Sequence, residues 1–523
     1  TSETTNMSIK AVRASALYAF LAAVVSAQAL SGPYTVGPGG SFANIAAVGA
    51  ALVTNGVAGP TTFNVTANDV GPWTLPAFPG QGASNPVLFS GGGLVSISAA
   101  GTNILTLNGC SHVTFEGFNA IMPVTSPTTL ETVLMTGTTT ACVMKNCDFV
   151  SPTTTSGSYS VVRFVGGTDN RVEDCHFGGG WEAFNVSSTS NGTILQRNRL
   201  RGGGWWIGRI EGPNTTVRNN FVYGVSNYGI SCGTAAGGTT AQNMKLHNNS
   251  IYIAHASAST QFCAIRWYAN PSVNSEFLNN AIYDFHPAVG SGYVMWCSGT
   301  NKPTTMNYNT YHLVNGISLF SSGGNQTLAT WQGLGFDLSS IEANPNFVNL
   351  GSTPPDLHLL SGSPCAGAGT TILTVTDDID GAPRSAPYDI GAHEFTSFNL
   401  LTFTTTGGGT GDLYYALDLP AVAAVEGLLL VTANAANPLG TGPAFGIWPD
   451  AMTWDLLANP SPLFAGNPLH FTMGVPGVFP SVPFVVSPGI LSFLGGQTWD
   501  AVVLTFGPGV VYTGASNVQR AAF

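Results

Sequence analysis

Between residues 144 and 311 the chain repeats one six-residue pattern seven times: apolar, any, Asn-like, Asn-like, any, apolar. The copies are Met144–Phe149 (MKNCDF), Val172–Phe177 (VEDCHF), Leu195–Leu200 (LQRNRL), Val217–Val222 (VRNNFV), Leu246–Ile251 (LHNNSI), Phe277–Ile282 (FLNNAI) and Met306–Tyr311 (MNYNTY). Their first residues are spaced by 28, 23, 22, 29, 31 and 29 positions. A period of this size means stacked units, each too small to bury a core alone. The apolar positions are short and β-prone, so each unit reads as strand, turn, strand rather than a helix pair. The fourth position runs Cys147, Cys175, Asn198, Asn220, Asn249, Asn280, Asn309. On coils about 4.8 Å apart this column becomes an internal ladder, each amide bonding the one above and below. The pattern predicts an all-β parallel β-helix.

Further features match. Tyr34–Val36, a Gly-Pro-Gly-Gly turn and the apolar set Phe42, Ile45, Val48 and Leu52 predict an amphipathic helix capping the open end of the solenoid, whose bare edge would otherwise template aggregation. Downstream lie Pro355–Leu359, Ser363–Cys365, Asp378–Gly381 (DIDG) and Asp389–Glu394 (DIGAHE). With these segments the chain resembles right-handed parallel β-helix (pectate-lyase-like) repeat proteins of secreted bacterial type, over roughly residues 34–395. The resemblance implies the fold but little about activity, because the scaffold hosts lyases, hydrolases, adhesins and spacers.

Three segments follow. Residues 1–29 read as a signal peptide with Met7 as initiator: Lys10 and Arg13 precede the apolar run Ala14–Val25, and Ala27-Gln-Ala29 supplies small residues for cleavage. Residues 30–395 form the β-helix. Residues 396–523 alternate short apolar runs with Gly-Pro turns, the pattern of a small antiparallel β-sandwich-like accessory domain. No stretch reads as a membrane span, since Leu419–Val431 is broken by Pro420 and Glu426. The expected location is secreted or cell-surface, as a monomer.

Only 8% of the 523 residues are charged, against about a quarter in ordinary domains. Stacking explains the deficit, because like charges on neighbouring coils repel. Cys147 and Cys175 share a ladder position; adjacent ladder side chains point the same way, which favours stacked thiols over a disulfide. With no Cys-x-x-Cys pair, a zinc site is not expected.

The net charge is −11, yet Arg163 to Arg266 holds nine bases (Arg163, Arg171, Arg197, Arg199, Arg201, Arg209, Arg218, Lys245, Arg266) and five acids. Such a band suits an anionic partner; pairing between coils, for example Lys145 with Glu173, is the competing account. Aligned on the hexads, Arg163, Arg209 and Arg266 occupy one outward register, with Asn185, Ser231 and Met295 in the same place on other coils. Two Gly-rich inserts present Trp181 and Trp205–Trp206 beside it, and Tyr228 follows. Aromatic faces stack on sugar rings, and the Arg fork pairs with carboxylates.

The expected partner is therefore an extended, anionic polysaccharide bound by Arg163, Arg209, Arg266, Trp181, Trp205, Trp206 and Tyr228; no nucleic acid is expected. Whether the chain is an enzyme stays open. The acid–base candidates are Arg209, Arg266, Glu182 and Glu211, with Asp284 and His286 near the same face. The family's lyases hold calcium with a compact Asp cluster, which this sequence lacks, and the Asp-pair plus His-Gly pattern of polygalacturonases is also missing. A glycosidase needs two carboxyls at a set separation, which Glu182 and Glu211 supply only if both project from the same face, so a lyase is favoured if there is activity. Asp377-Asp378-Ile-Asp380-Gly381 lacks EF-hand spacing; it reads as a turn sealing the last coil, with Ca²⁺ left open there and no other metal or cofactor expected. The alternative from another class is a non-catalytic structural or adhesive rod, in which each outward Arg is neutralised by a neighbouring coil.

Overall fold

The computed structural model describes residues 28–99, 102–121, 131–153, 160–233, 242–268, 273–298, 301–360, 363–395, 400–405, 413–418, 425–464, 467–473, 484–487 and 489–523. All but the last two residues of the expected signal peptide lie outside this set. The chain divides into two compact units, one of residues 1–359 and 363–394, the other of 360–362 and 395–523.

The first unit is a parallel β-helix. From Val133 to Val314 each coil contributes one strand to an 11-stranded sheet and two to a 20-stranded sheet. One coil, for example, supplies Trp206–Ile210 to the former, then Thr216–Arg218 and Phe221–Val225 to the latter. Neighbouring coils pair in parallel and in register, as in Val217 with Leu246 and Leu246 with Phe277.

The two Asn-like positions of the hexad do different work. The third residue turns the chain with positive φ, from 50° at Asn146 to 57° at Asn279, a conformation that Asn and Asp tolerate best among residues with a side chain. The fourth points inward and builds the ladder. Asn198 Nδ2 donates to Asn220 Oδ1 (3.1 Å), Asn220 to Asn249 (3.0 Å), Asn249 to Asn280 (2.9 Å) and Asn280 to Asn309 (3.2 Å). Each Oδ1 also accepts the preceding ladder residue's backbone N–H. The ladder starts on thiols, Cys147 N–H lying 3.3 Å from Cys175 Sγ, and all eight cysteines are free and buried. It ends on Asp337, which accepts from Asn309 Nδ2 (2.9 Å), Tyr311 Oη–H (3.1 Å) and Trp331 Nε1–H (3.0 Å).

Helix α1 (Ile45–Asn55) caps the start of the stack. Its Ile45, Val48 and Leu52 are buried, and Asn44 caps its N-terminus by accepting from Ala47 N–H. Helix α2 (Leu328–Gly333) covers the other end, with Trp331 stacked on Phe320 at 4.7 Å.

Residues 363–394 do more than seal the last coil. They run back along the turns and bond the third hexad residues of four coils. Arg197 Nη1 donates to Asp377 Oδ2 (2.7 Å), Asn219 Nδ2 to Asp377 O (2.7 Å), Asn248 Nδ2 to Asp389 O (3.1 Å) and Asn279 Nδ2 to Thr370 O (2.7 Å). Arg384, wholly buried, joins Glu394 Oε2 (2.8 Å) to Asn219 Oδ1 (2.9 Å). The segment is a clasp spanning the coils.

His358 ties that clasp to the strand Asp356–Leu359, its Nδ1 on Asp356 and its Nε2 2.8 Å from Asp380 Oδ2. Burial lowers its pKa, but the two carboxylates outweigh this and raise it from the ordinary 6.5 to about 9. A raised pKa in the folded state stabilises fully below about pH 6.5, and that contribution is lost as pH rises through about 9, at most about 3 kcal/mol. Burial, and then the His358 charge, push His393 down to about 3, which costs stability as pH falls below the ordinary value. Hydrogen exchange in residues 363–394, corrected for intrinsic rates, is therefore expected to accelerate between pH 7 and 10, and His358→Gln to remove that trend. An unchanged trend in the variant would mean that His358 is not the titrating link.

Among its described residues the second unit has two antiparallel sheets. One holds 400–404, 413–418 and 484–486; the other holds 470–472, 426–432, 498–507, 511–515 and 519–522. Leu417 of the first packs with Leu429, Val431, Ala501 and Val503 of the second, giving the sandwich-like core. Helix α3 (Ala451–Ala458) carries a capping box on Asp450.

Candidate functional site

Outward residues of the 11-stranded sheet form two rows. Pairing places Arg163, Asn185, Arg209, Ser231 and Arg266 in one register, so the three arginines share a face two coils apart. Trp296, not Met295, is the next member; Met295 points into the core. The strands bend just before this row. Ile207 and Gly208, or Val294 and Met295, are successive residues on the inner side, which turns Trp206, Tyr228, Cys263 and Tyr293 outward as the second row.

The three arginines are not equivalent. Arg163 Nη1 bonds Glu131 at 2.9 Å. Arg209 is clamped by Glu182, Nε at 2.5 Å and Nη2 at 3.0 Å, with Glu211 3.9 Å from Nη1. Glu182 is 0% exposed and also accepts from Ser160 Oγ (2.7 Å) and Asn185 Nδ2 (2.8 Å). Its oxygens are fully engaged, so it is not available as a glycosidase acid. Glu211 has its pKa raised by burial and by Glu182, against the lowering effect of Arg209.

Arg266 differs. It makes no ion pair among the described residues; the Tyr228 and Tyr268 hydroxyls are its hydrogen-bond partners, and its buried Nε–H, like that of Arg163, has no acceptor. Its guanidinium carbon lies 4.6 Å from the Tyr228 ring, 4.6 Å from Trp296, 4.8 Å from Tyr268 and 6.0 Å from Trp206. Arg209 has one such contact, with Trp181 at 5.4 Å. Trp206 and Tyr228 stack at 4.2 Å and are only 9% and 4% exposed, whereas Trp205 is 37% exposed. The first two are walls of the cage, and Trp205 is the ring that faces solvent.

The rest of the basic band is largely neutralised. Lys145 and Arg171 approach Glu173, Arg197 pairs with Asp174 and Asp377, Arg199 with Asp380, and Lys245 with Glu276.

Asp284 and His286 lie in the interior at 0% exposure, not on the face. Asp284 Oδ1 is 2.8 Å from His255 Nε2, and Oδ2 accepts the Ala264 N–H at 3.1 Å. His255 Nδ1 faces the Ser226 carbonyl at 3.0 Å, so the ring is held at both nitrogens. Burial pushes the Asp284 carboxyl up, but His255 and His286 outweigh it and hold it below the usual range. The pair anchors the start of Cys263–Trp267, the strand carrying Arg266.

His255, Asp284 and His286 form one group whose ligand atoms lie within 4.8 Å of one another; Asp378, Asp380 and His393 form another. In the second, Asp378 already accepts the N–H groups of Asp380, Ala382 and Glu394, and Asp380 binds His358. A calcium ion there would have to displace these bonds. The first offers two imidazoles stacked at 4.1 Å, and their near-parallel planes (18°) do not converge on one point.

No family model matches the sequence, and no curated protein matches it. Among solved structures, the crystal structure of pectate lyase Pel9A aligns over 71% of this chain and 98% of that chain, at 12% identity and a TM-score of 0.43. The crystal structure of the Agl-KA catalytic domain aligns over 54% of this chain and 64% of that chain, at 14% identity and a TM-score of 0.27. At these values neither likeness bears on activity or substrate.

Proposed function

We propose that the chain is an exported β-helix protein that binds an extended anionic polysaccharide on the outer face of its 11-stranded sheet, centred on Arg266. The observation that carries this reading is a cation with no acidic partner among the described residues, lodged among four aromatic rings on an outward row. Its unbalanced charge is what a uronate carboxylate would neutralise, while Trp205 offers a ring face to the adjoining sugar. Arg163 and Arg209, already paired, hold the platform rather than the ligand.

Replacing Arg266 with Gln is expected to weaken binding to uronate-rich glycans about tenfold to a hundredfold, with little change in melting temperature. Binding should weaken with salt, since screening acts over about 10 Å near 0.1 M. Neutral glycans should bind weakly to both proteins. Equal retention of wild type and Arg266→Gln on polyanionic and neutral glycans would remove the site. A specific observation favours the rival reading, a structural or adhesive rod: Glu131–Arg163 and Glu182–Arg209 are pairings between coils, as a spacer requires.

A further inference from the structure

We propose a second site, on the other sheet, that takes a uronic-acid residue in the groove bounded by residues 350–355. Pairing aligns Gly178, Arg201, Tyr223, Tyr252, Tyr283 and His312 on successive coils, in the strands that follow the asparagine turn. Beside this row lies a groove of about 500 Å³, whose far wall includes Ser352, Pro354 and Pro355, within the range of small-ligand sites.

Three features give the groove its chemistry. The first is a cation to spare: Arg201 forms no ion pair and no hydrogen bond among the described residues. Its guanidinium lies across Gly178, where a Cβ would come within 3.1 Å of Nη2. The planar fork can therefore meet a carboxylate edge-on.

The second is a rigid floor. Tyr223 Oη is 3.3 Å from His176 Nε2, and His176 Nδ1 is 3.0 Å from Asp148 Oδ1. With Nδ1–H donating to Asp148, Nε2 accepts the phenol proton; Tyr223 is only 1% exposed, so this relay fixes the floor of the groove beneath the ligand. Burial pushes the Tyr223 pKa up to about 12, against the lowering effect of Arg201, so the phenol stays protonated at neutral pH.

The third is a platform. Tyr252 is half-buried and held edge-to-face by Tyr283 at 5.7 Å, leaving a ring wall at the groove for the apolar face of a pyranose. A carboxylate anchor and an aromatic wall over a fixed floor in one groove match a uronate better than a neutral or purely apolar ligand.

The test uses the full chain carrying Arg266→Gln, so that binding on the other sheet is not read. Titration calorimetry with a defined oligouronate is expected to show one remaining site. Adding Arg201→Gln should weaken it at least about tenfold, and adding Tyr252→Ala should do the same, with melting unchanged because both side chains point outward. A matched neutral oligosaccharide should bind less tightly than the oligouronate, and a sulfated one serves as the comparison for carboxylate geometry. No binding by Arg266→Gln, or equal binding with and without Arg201→Gln, overturns the groove and leaves the Arg266 site standing. Loss on Arg201→Gln with none on Arg266→Gln keeps the groove and rejects the Arg266 site. A sulfated ligand that binds more tightly than the oligouronate overturns the uronate assignment.

Discussion

Replacing Asn249 with Leu is expected to destabilise the β-helix by about 2–6 kcal/mol, because at least two buried groups lose their partners at about 1–3 kcal/mol each. Asn249 Oδ1 accepts the Asn220 backbone N–H at 3.2 Å, and its Nδ2 donates to the Val217 carbonyl at 2.9 Å. Leucine fills comparable volume but can do neither. The Asn220 side chain keeps its bonds to Leu195 O and Arg218 O, so the damage falls chiefly on the backbone at the turn. Asn220→Leu should have a similar cost. The double variant should cost less than the sum, because the two residues share one bond. Melting and hydrogen exchange of residues 195–282 read the effect, with the second unit as an internal reference. Unchanged melting in both single variants would mean that the ladder does not hold the coils.

The coil architecture was legible in the sequence because its demands are local. A turn at positive φ followed by an inward amide asks for the same two residue types on every coil, so Asn219–Asn220, Asn248–Asn249 and Asn279–Asn280 stand out without any knowledge of partners. The outward register was partly legible. Arg163, Arg209 and Arg266 align, but Met295 was misplaced by one residue. The loops between hexad and strand differ in length from coil to coil, and a one-residue slip moves a side chain to the opposite face.

What decides the state of each arginine was not legible. Glu131 and Glu182 reach Arg163 and Arg209 from other coils, 32 and 27 residues away, and nothing in local spacing distinguishes them from other acids. The clasp was hidden for the same reason. Arg197 meets Asp377 across 180 residues. Its partners occupy the third hexad position, where the turn already accounts for the residue type and masks the second role. The Arg201 groove has one wall from residues 350–355, so no single stretch of sequence carries it. A signal was nonetheless present: Tyr223, Tyr252 and Tyr283 stand one residue beyond the apolar sixth hexad position on three consecutive coils.

Replacing Arg384 with Met is expected to cost about 3–5 kcal/mol, the penalty for breaking a buried ion pair by removing one partner. Its side chain is 0% exposed and that of Glu394 is 4% exposed. The guanidinium bonds Glu394 Oε2, Asn219 Oδ1 and the carbonyls of Asp377, Gly391 and Ala392. Methionine satisfies none of them and leaves the Glu394 carboxylate without its cation. That carboxylate still accepts the Ser385 and Asp389 N–H groups, so the clasp should loosen from the coils before the coils themselves separate. Limited proteolysis should then cut within residues 363–394 while the Asn249 region stays protected. Adding Glu394→Gln should recover part of the loss, since it removes the stranded charge, whereas the same Gln alone should destabilise. Lys245→Met supplies the surface control: its pairing with Glu276 is half-exposed at 3.5 Å and should contribute less than about 1 kcal/mol. If Arg384→Met melted with the Lys245 variant and resisted protease, the segment would be a passive tail and the coils would hold without it.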